Sequence, residues 1–209
     1  MGFKCGIVGL PNVGKSTIFN AITNAGAESA NYPFCTIEPN VGMVNVPDYR
    51  LDKLVEAYHP RSIIPAVTQF VDIAGLVKGA SQGEGLGNQF LTHIRECEAI
   101  MEVVRCFEDE NIVHVHGSVD PLRDVEIIET ELLLKDLDSV EKRLVTETKN
   151  ARTGGASAKA RLEACENLKN AMSEGTPARK MLGTSDEMDS LISDLALLTA
   201  KPVFYCANV

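Results

Sequence analysis

Short apolar runs alternate along the chain with segments whose apolar residues recur at helical spacing. Residues 4–10 are apolar on both faces and end in glycine, which predicts a buried central strand, and residues 17–23 then follow helical spacing. This alternation predicts an α/β fold in which a mostly parallel sheet is flanked by helices. The other predicted strands are 39–46, 66–72, 99–107 and 202–207, and the other predicted helices are 50–58, 88–97 and 185–199.

The apolar period changes after residue 124. Leu133, Leu137, Val140 and Leu144 recur at spacings of 4, 3 and 4, which is typical of a packed helix pair. The same rhythm resumes after Gly154-Gly155. We therefore predict a helical hairpin, or coiled coil, over 132–181, inserted into a nucleotide-binding domain formed by 1–131 and 182–209.

The first predicted strand and helix are joined by Gly9-Leu-Pro-Asn-Val-Gly14-Lys15-Ser16, a Gly-x4-Gly-Lys-Ser motif in the expected context. Glycines let backbone N–H groups turn towards phosphate oxygens, and the following helix adds its positive N-terminus. Lys15 is expected to bridge the β- and γ-phosphates and to serve catalysis there, and the Ser16 hydroxyl to ligate Mg²⁺. The predicted nucleotide-binding residues of this P-loop are Asn12, Val13, Gly14, Lys15, Ser16 and Thr17.

Two further segments complete the predicted phosphate site. Asp72 ends a predicted strand and begins Asp-x-x-Gly75, so its carboxylate is expected to hold Mg²⁺ while the Gly75 amide approaches the γ-phosphate. Thr36 lies between the two motifs and is expected to supply a second hydroxyl. The predicted metal ligands are therefore Ser16, Thr36 and Asp72.

Charge and composition narrow the classes of protein. The net charge of −9 argues against a general nucleic-acid coat and gives no sign of sequence-specific DNA binding. Residues 135–180 nevertheless carry 10 basic and 7 acidic side chains, which fits either a solvated helical face or a phosphate-rich partner. The chain shows neither a membrane span nor a signal peptide, and its six cysteines are scattered. A cytoplasmic protein with reduced thiols is expected.

Four longer stretches are distinctive: Asn31-Tyr-Pro-Phe-Cys-Thr-Ile-Glu-Pro-Asn-Val-Gly, Val71-Asp-Ile-Ala-Gly-Leu-Val-Lys-Gly-Ala-Ser, Gly83-Glu-Gly-Leu-Gly-Asn and Val104-Arg-Cys-Phe-Glu-Asp. Together with the P-loop they resemble the YchF or Obg-like ATPase family within the translation-factor-related class of P-loop proteins. The resemblance implies a Mg²⁺-dependent NTPase that often prefers ATP to GTP, binds ribosomes, and carries a coiled-coil insert and a C-terminal TGS domain. It also implies that Asn208 begins the base-recognition motif, so we expect the rest of that motif and the TGS domain beyond Val209.

Leu76 follows Gly75, at the position where related switches often carry a water-orienting Gln. An alkyl side chain forms no hydrogen bond, which predicts a low intrinsic rate of hydrolysis. His114 is the first substitute, favoured over His116 by the resemblance, and a K⁺ ion held by Asn12 is the second. Two glutamines in the glycine-rich segment, Gln82 and Gln89, are weaker candidates.

Different functional classes remain open at this stage. The favoured class is a slow Mg²⁺-dependent ATPase that also hydrolyses GTP and acts as a ribosome-associated switch. Others are a GTP-preferring switch and a nucleotide-gated ribosome-binding module with negligible unassisted hydrolysis. A P-loop kinase for small molecules is disfavoured, because the arginines after residue 100 fall mainly in the predicted hairpin rather than in a lid.

Overall fold

The computed structural model describes residues 3–26, 41–73 and 93–209. Within these ranges the strands and helices confirm the predicted α/β class. They are β1 (Phe3–Val8), α1 (Lys15–Gly26), β2 (Val41–Asn45), α2 (Tyr49–Tyr58), β3 (Val67–Asp72), β4 (Ala99–Arg105), α3 (Pro121–Thr153), α4 (Ala156–Ser173), α5 (Asp186–Leu195) and β5 (Val203–Asn208). Short 3-10 turns occupy Ala178–Lys180 and Leu198–Ala200. Half of the predicted helix 88–97, residues 88–92, lies outside the described residues, and residues 93–95 are helical.

The described strands form one five-stranded sheet in the order β2-β3-β1-β4-β5. Strand β1 pairs in parallel with β3 and β4, and β4 pairs in parallel with β5. Strand β2 is the exception, since it runs antiparallel to β3 from Val41 opposite Val71 to Asn45 opposite Val67. The sheet is therefore mostly parallel, as predicted, with an antiparallel strand at one edge.

Strands β1 and β4 are mostly apolar on both faces because helices cover both sides of a parallel sheet. Ile7 of β1 and Ile100 of β4 are fully buried in the core. Parallel pairing also brings the carboxyl ends of β1, β3, β4 and β5 to the same edge of the sheet. That edge carries the residues 9–14 loop, Asp72, the loop after β4 and Asn208.

Helices α3 and α4 form the predicted hairpin, and the chain turns at Gly154 and Gly155. Pro121 opens α3, and the Asp120 carboxylate caps it by accepting from Arg123 N at 3.2 Å. A second core fills the hairpin and is shared by all three C-terminal helices and their connections. Its fully buried members include Val140, Cys165, Leu168, Leu191 and Met172.

Helix α3 passes unbroken from one core to the other. Leu132 belongs to the sheet core, whereas the next residue, Leu133, packs against the hairpin core. The chain passes back from the hairpin core to the sheet core at the turn before β5. Leu197 lies in the hairpin core and Leu198 in the sheet core. How the chain divides into domains at 132 and 181 stays a prediction.

A buried carboxylate joins α3 to the turn before β5. Asp136 is fully buried and accepts from Leu198 N at 2.9 Å, from Thr199 N at 2.7 Å and from the Thr199 hydroxyl at 2.7 Å. Burial raises the pKa of Asp136, and the backbone donors oppose that shift. Because every donor is spatially fixed, this contact sets how the hairpin leaves the sheet.

Two further expectations from the sequence are reduced cysteines and the lack of a membrane-spanning segment. All five cysteines in the described part of the chain are free. Among the helices that the structure describes, none combines the length and the apolar character needed to cross a membrane.

We predict that Asp136→Asn destabilises the fold by about 2 kcal/mol, because an amide turns one of two acceptor oxygens into a donor facing N–H groups. Chemical denaturation measures the loss. Asp138→Asn is the matched control on the same helix, since Asp138 makes only exposed ion pairs with Lys135 and Lys142. Equal stabilities of the two variants would contradict the prediction.

Candidate nucleotide site

The loop between β1 and α1 is shaped by glycines at its two ends. Gly9 has a φ of 155°, and a Cβ there would lie 2.5 Å from the Val103 carbonyl oxygen of β4. Gly14 has a φ of 94°, and Asn12 between them also has a positive φ of 62°. A loop with these dihedrals turns its backbone inwards, as a phosphate-binding loop requires.

Asn208 holds this loop from the far end of the chain. Its Nδ2 donates to Val13 O at 2.9 Å, across 195 residues of sequence. A Cβ on Gly14 would lie 2.3 Å from the same Nδ2 atom. Asn208 is positioned by β5, whose last residue pairs with Arg105 of β4. The contact explains why residue 14 has no side chain.

Helix α1 starts at the end of the loop and directs its N-terminus towards it. Ile18 N bonds to Gly14 O at 3.0 Å, so the helical hydrogen bonds begin at Gly14. No acidic residue occupies the first turn. The free N–H groups and the helix dipole therefore favour an anion at this place.

Lys15 is folded back into the loop. Its ammonium donates to Leu10 O at 2.8 Å, and the residue is 8% exposed. Burial lowers the pKa of the Lys15 ammonium, and the nearby Asp72 carboxylate opposes that shift. Within the described residues, Lys15 is thus a buried cation held by one backbone carbonyl and placed close to the predicted phosphate position.

Ser16 and Asp72 meet at the mouth of the loop. The Ser16 hydroxyl donates to Asp72 Oδ2 at 2.8 Å. The other carboxylate oxygen, Asp72 Oδ1, is buried and has no hydrogen-bond partner within the described residues. A buried carboxylate oxygen without a donor, next to a hydroxyl, fits Mg²⁺, which takes oxygen ligands and commonly only one or two from the protein.

No group of three or more His, Cys, Asp or Glu side chains suited to a metal occurs in the described ranges. A divalent ion held by Ser16 and Asp72 would therefore need further oxygen ligands, such as those of a bound phosphate. Thr36, the third predicted ligand, lies outside the described residues. So do Gly75, Leu76, Gln82 and Gln89.

His114 is in the loop after β4, but both of its ring nitrogens are engaged inside the protein. Nε2 lies 2.8 Å from Asp124 Oδ2, and Nδ1 accepts from His116 N at 3.1 Å. This pattern is that of a neutral imidazole with the proton on Nε2. Asp124 also accepts from Arg123, at 3.2 Å and 3.0 Å. To orient a water molecule, His114 has to release one of these partners.

The neighbouring His116 differs in this respect. Its Nε2 is buried and has no hydrogen-bond partner in the part of the chain described. The two rings lie 6.1 Å apart. The preference for His114 came from family resemblance, and the local geometry leaves the choice between these histidines open.

Asn12 connects the phosphate loop to the histidine loop. Its Nδ2 donates to Val113 O at 3.1 Å, directly beside His114. With the amide nitrogen used in this way, the amide oxygen is the atom that Asn12 offers to a cation. This hydrogen bond links the two features predicted to assist hydrolysis, which are the loop of His114 and the K⁺ ion held by Asn12.

A groove of about 470 Å³ opens beside the phosphate loop. This volume lies in the range of small-molecule sites. Asn12, Gly14, Thr17 and Asn208 were predicted to bind nucleotide, whereas Phe107 and Ile112 were not. The full lining is Asn12, Gly14, Thr17, Phe107, Ile112, Asn208 and Val209.

Arg105 is the structural residue that sequence reasoning missed. It is 2% exposed and donates to the carbonyls of Phe107 at 3.1 Å, Ile112 at 2.9 Å and Asp109 at 3.2 Å. These bonds shape the loop that forms one wall of the groove. The signal available was an arginine at the end of a mostly apolar strand, where a buried charge requires partners.

The fold and the phosphate loop together define a P-loop nucleotide-binding domain of the GTPase class. The family model described as "50S ribosome-binding GTPase" matches residues 4–146, and the chain belongs to this family.

Closer relatives confirm the resemblance to the YchF family. The chain is 56% identical over 209 residues to "Ribosome-binding ATPase YchF" of Bacillus subtilis (strain 168) and 57% identical to the protein of that name from Escherichia coli O157:H7. All of this chain is covered in each comparison, but only 57% of each relative. The solved "Structure of the Schizosaccharomyces pombe YchF GTPase" matches with a TM-score of 0.82 and 46% identity, covering 99% of this chain and 56% of that one.

We predict that Gly14→Ala weakens nucleotide binding by about tenfold or more, because it places a methyl group on Asn208 and strains a positive φ. Fluorescent nucleotide titration measures the affinity. The double variant Gly14→Ala, Asn208→Ala removes the clash and is expected to recover part of the loss. Gly183→Ala is a control, since Gly183 has a φ of 79° but open space around its Cβ. Unchanged affinity in Gly14→Ala would contradict the proposed packing.

Proposed function

We propose that this chain is a Mg²⁺-dependent nucleoside triphosphatase that hydrolyses ATP, and GTP as well, to the diphosphate, and acts as a ribosome-associated nucleotide switch in the cytoplasm. The observation that carries the proposal is the contact of Ser16 with Asp72 beside the Lys15 loop. A hydroxyl, a carboxylate and a buried ammonium converge there, at the N-terminus of a helix. This set suits a metal-bound triphosphate.

Each side chain has a separate task in this proposal. Backbone N–H groups of the loop and of the start of α1 receive phosphate oxygens. The Lys15 ammonium exchanges Leu10 O for phosphate oxygens and spreads its positive charge over them. Ser16 and Asp72 hold Mg²⁺, with Thr36 as a further ligand. When bound, the ion neutralises negative charge on the β- and γ-phosphates.

The nucleoside is proposed to lie in the groove that Asn208 and Phe107 line. The choice of base rests on the names of relatives, which disagree. The two bacterial proteins are called ATPases, at 56% and 57% identity, whereas the Schizosaccharomyces pombe structure is titled a GTPase, at 46%. We propose ATP as the preferred substrate because this chain is more identical to the relatives that are named ATPases than to the one that is named a GTPase.

The ribosome is proposed as partner because both bacterial relatives are named as ribosome-binding. Within this chain, residues 135–180 carry an excess of three positive charges, while the whole chain has a net charge of −9. These residues run from the middle of α3 through α4 to the 3-10 turn at Ala178–Lys180, so this part of the chain is proposed as the surface for a phosphate-rich partner.

A second candidate function is a nucleotide-gated binding module with negligible unassisted hydrolysis. The arrangement of His114 favours it, since both ring nitrogens are used by Asp124 and His116. In this second candidate function, a partner has to rearrange the loop that carries His114 before that side chain can position water. A low intrinsic rate follows from either candidate.

We predict that hydrolysis requires Mg²⁺ and falls by about a hundredfold in Ser16→Ala and in Asp72→Asn, because each change removes an oxygen ligand. Phosphate release from ATP, with Mg²⁺ or with a chelator, gives the measurement. Ser173→Ala and Asp138→Asn are matched controls in the hairpin, where the Ser173 hydroxyl only bonds to Lys169 O. Turnover that persists in the chelator, or that survives Asp72→Asn, would overturn the metal site.

One experiment distinguishes the proposed contribution of His114 to hydrolysis from that of a K⁺ ion held by Asn12. His114→Ala is expected to lower kcat by about a hundredfold with nearly unchanged nucleotide affinity. Asn12→Ala is expected to abolish stimulation by K⁺ over Na⁺. Steady-state rates in KCl and in NaCl measure both, and thermal melting checks that Asp124 tolerates the loss of its partner. The exposed His59, changed to Asn, is the histidine control.

Equal wild-type rates in the two salts would exclude the potassium role. An unaltered kcat in His114→Ala would exclude the histidine. If both results occurred while ribosomes stimulated turnover, the binding-module candidate would be favoured.

A further inference from the structure

A second cavity, of about 210 Å³, lies on the side of the sheet that α3 covers. Residues of β4, β5 and α3 line it together with Gly175, Pro177 and the turn before β5. It shares no lining residue with the groove beside the phosphate loop. The cavity is therefore a separate feature of the junction between the sheet and the hairpin.

Most of the cavity wall is apolar. Ile100, Leu132, Leu133, Leu198 and Val203 supply aliphatic side chains to it. The acidic residues Glu102, Glu126 and Glu129 also face it, and Arg179 is the only basic residue among those that line it. An apolar chamber with carboxylates differs from a water-filled surface cleft.

Glu102 is the unusual group in this wall. It is 2% exposed, and its Oε1 atom is buried with no hydrogen-bond partner among the described residues. Asp136, in the same region of the fold, shows how the chain satisfies a buried carboxylate when its role is structural, since three protein donors surround it. A buried carboxylate oxygen without a donor is costly unless something else supplies one.

The polar side chains near Glu102 donate their hydrogen bonds to another residue. Arg179 Nη2 donates to Glu129 Oε1, and the Tyr205 hydroxyl donates to the same Oε1 atom at 2.9 Å. Glu126 is exposed, at the open side. Burial, reinforced by Glu129 and opposed by Arg179, raises the pKa of Glu102 to about 8. The cavity thus contains one uncompensated acid.

We propose that this cavity binds a short alkyl chain that ends in a primary ammonium group, with the ammonium donating to Glu102 and the alkyl part lying against the aliphatic wall. An ammonium group supplies both the charge and the donors that Glu102 lacks. A divalent metal fits less well, because the described residues hold no group of three metal-ligating side chains. The volume has room for a ligand of several non-hydrogen atoms.

Binding of the ammonium group favours ionised Glu102. Below the pKa of about 8, a bound cation has to displace the proton of Glu102. Affinity is therefore expected to rise as the pH increases towards that value and then to level off. Among the described residues, Glu129, Arg179 and Tyr205 are the titratable groups that interact with Glu102, and Glu126 also lines the cavity.

The test is calorimetric titration of this chain with n-butylammonium chloride, with sodium chloride added to keep ionic strength constant. We expect saturable binding at millimolar concentrations and a raised melting temperature. Glu102→Gln is expected to weaken binding by at least about tenfold. Val203→Leu keeps the carboxylate but fills the cavity, so it is expected to weaken binding too. Glu141→Gln, which removes an exposed partner of Lys169, is the matched control and should bind normally.

n-Butanol distinguishes charge recognition from filling of an apolar hole. We expect it to produce little stabilisation compared with n-butylammonium. The proposal is overturned if wild-type protein shows no saturable binding, if Glu102→Gln binds as tightly as wild type, or if n-butanol acts equally well. A pH-independent affinity below pH 8 would also contradict it, since it would show that Glu102 is not the acceptor.

Discussion

Parallel pairing of β1 with β3 and β4, and of β4 with β5, is the constraint on which the rest of the site depends. It brings the ends of four strands to one edge of the sheet. The Ser16 hydroxyl can therefore meet Asp72 at the end of β3, and Asn208 at the end of β5 can hold Val13. A shift by one residue in the pairing of β1 with β3, or of β4 with β5, would turn Asp72 or Asn208 to the other face of the sheet.

Local sequence was sufficient to predict the phosphate loop, because Gly9 and Gly14 act through backbone geometry within a few residues of Lys15. The strands and the hairpin were also predictable from the apolar period together with glycine and proline positions, and Gly154-Gly155 marked the turn. The antiparallel course of β2 was not, since an edge strand carries no signal of direction. The buried bonds of Asp136 were hidden as well, because their donors lie 62 and 63 residues away.

The same limit applies within the site. Asn208 was expected there only through family resemblance, whereas its contact with Gly14 depends on the pairing of β4 with β5. The engagement of His114 by Asp124 could not be read from a motif, because Asp124 belongs to the start of α3. Arg105 and Glu102 look alike in sequence, each a charge in an apolar strand. Arg105 is satisfied by three carbonyls, whereas Glu102 Oε1 has no protein donor among the described residues.

We propose that Ser16 and Asp72 form a divalent-metal site that a bound nucleotide completes. Electron paramagnetic resonance of Mn²⁺, used in place of Mg²⁺, tests this directly. We expect tightly bound Mn²⁺ only when this chain and a nucleoside triphosphate are both present, and we expect that signal to be lost in Asp72→Asn. Nucleotide that binds equally well without a divalent ion, or Mn²⁺ binding unaffected by Asp72→Asn, would contradict the account.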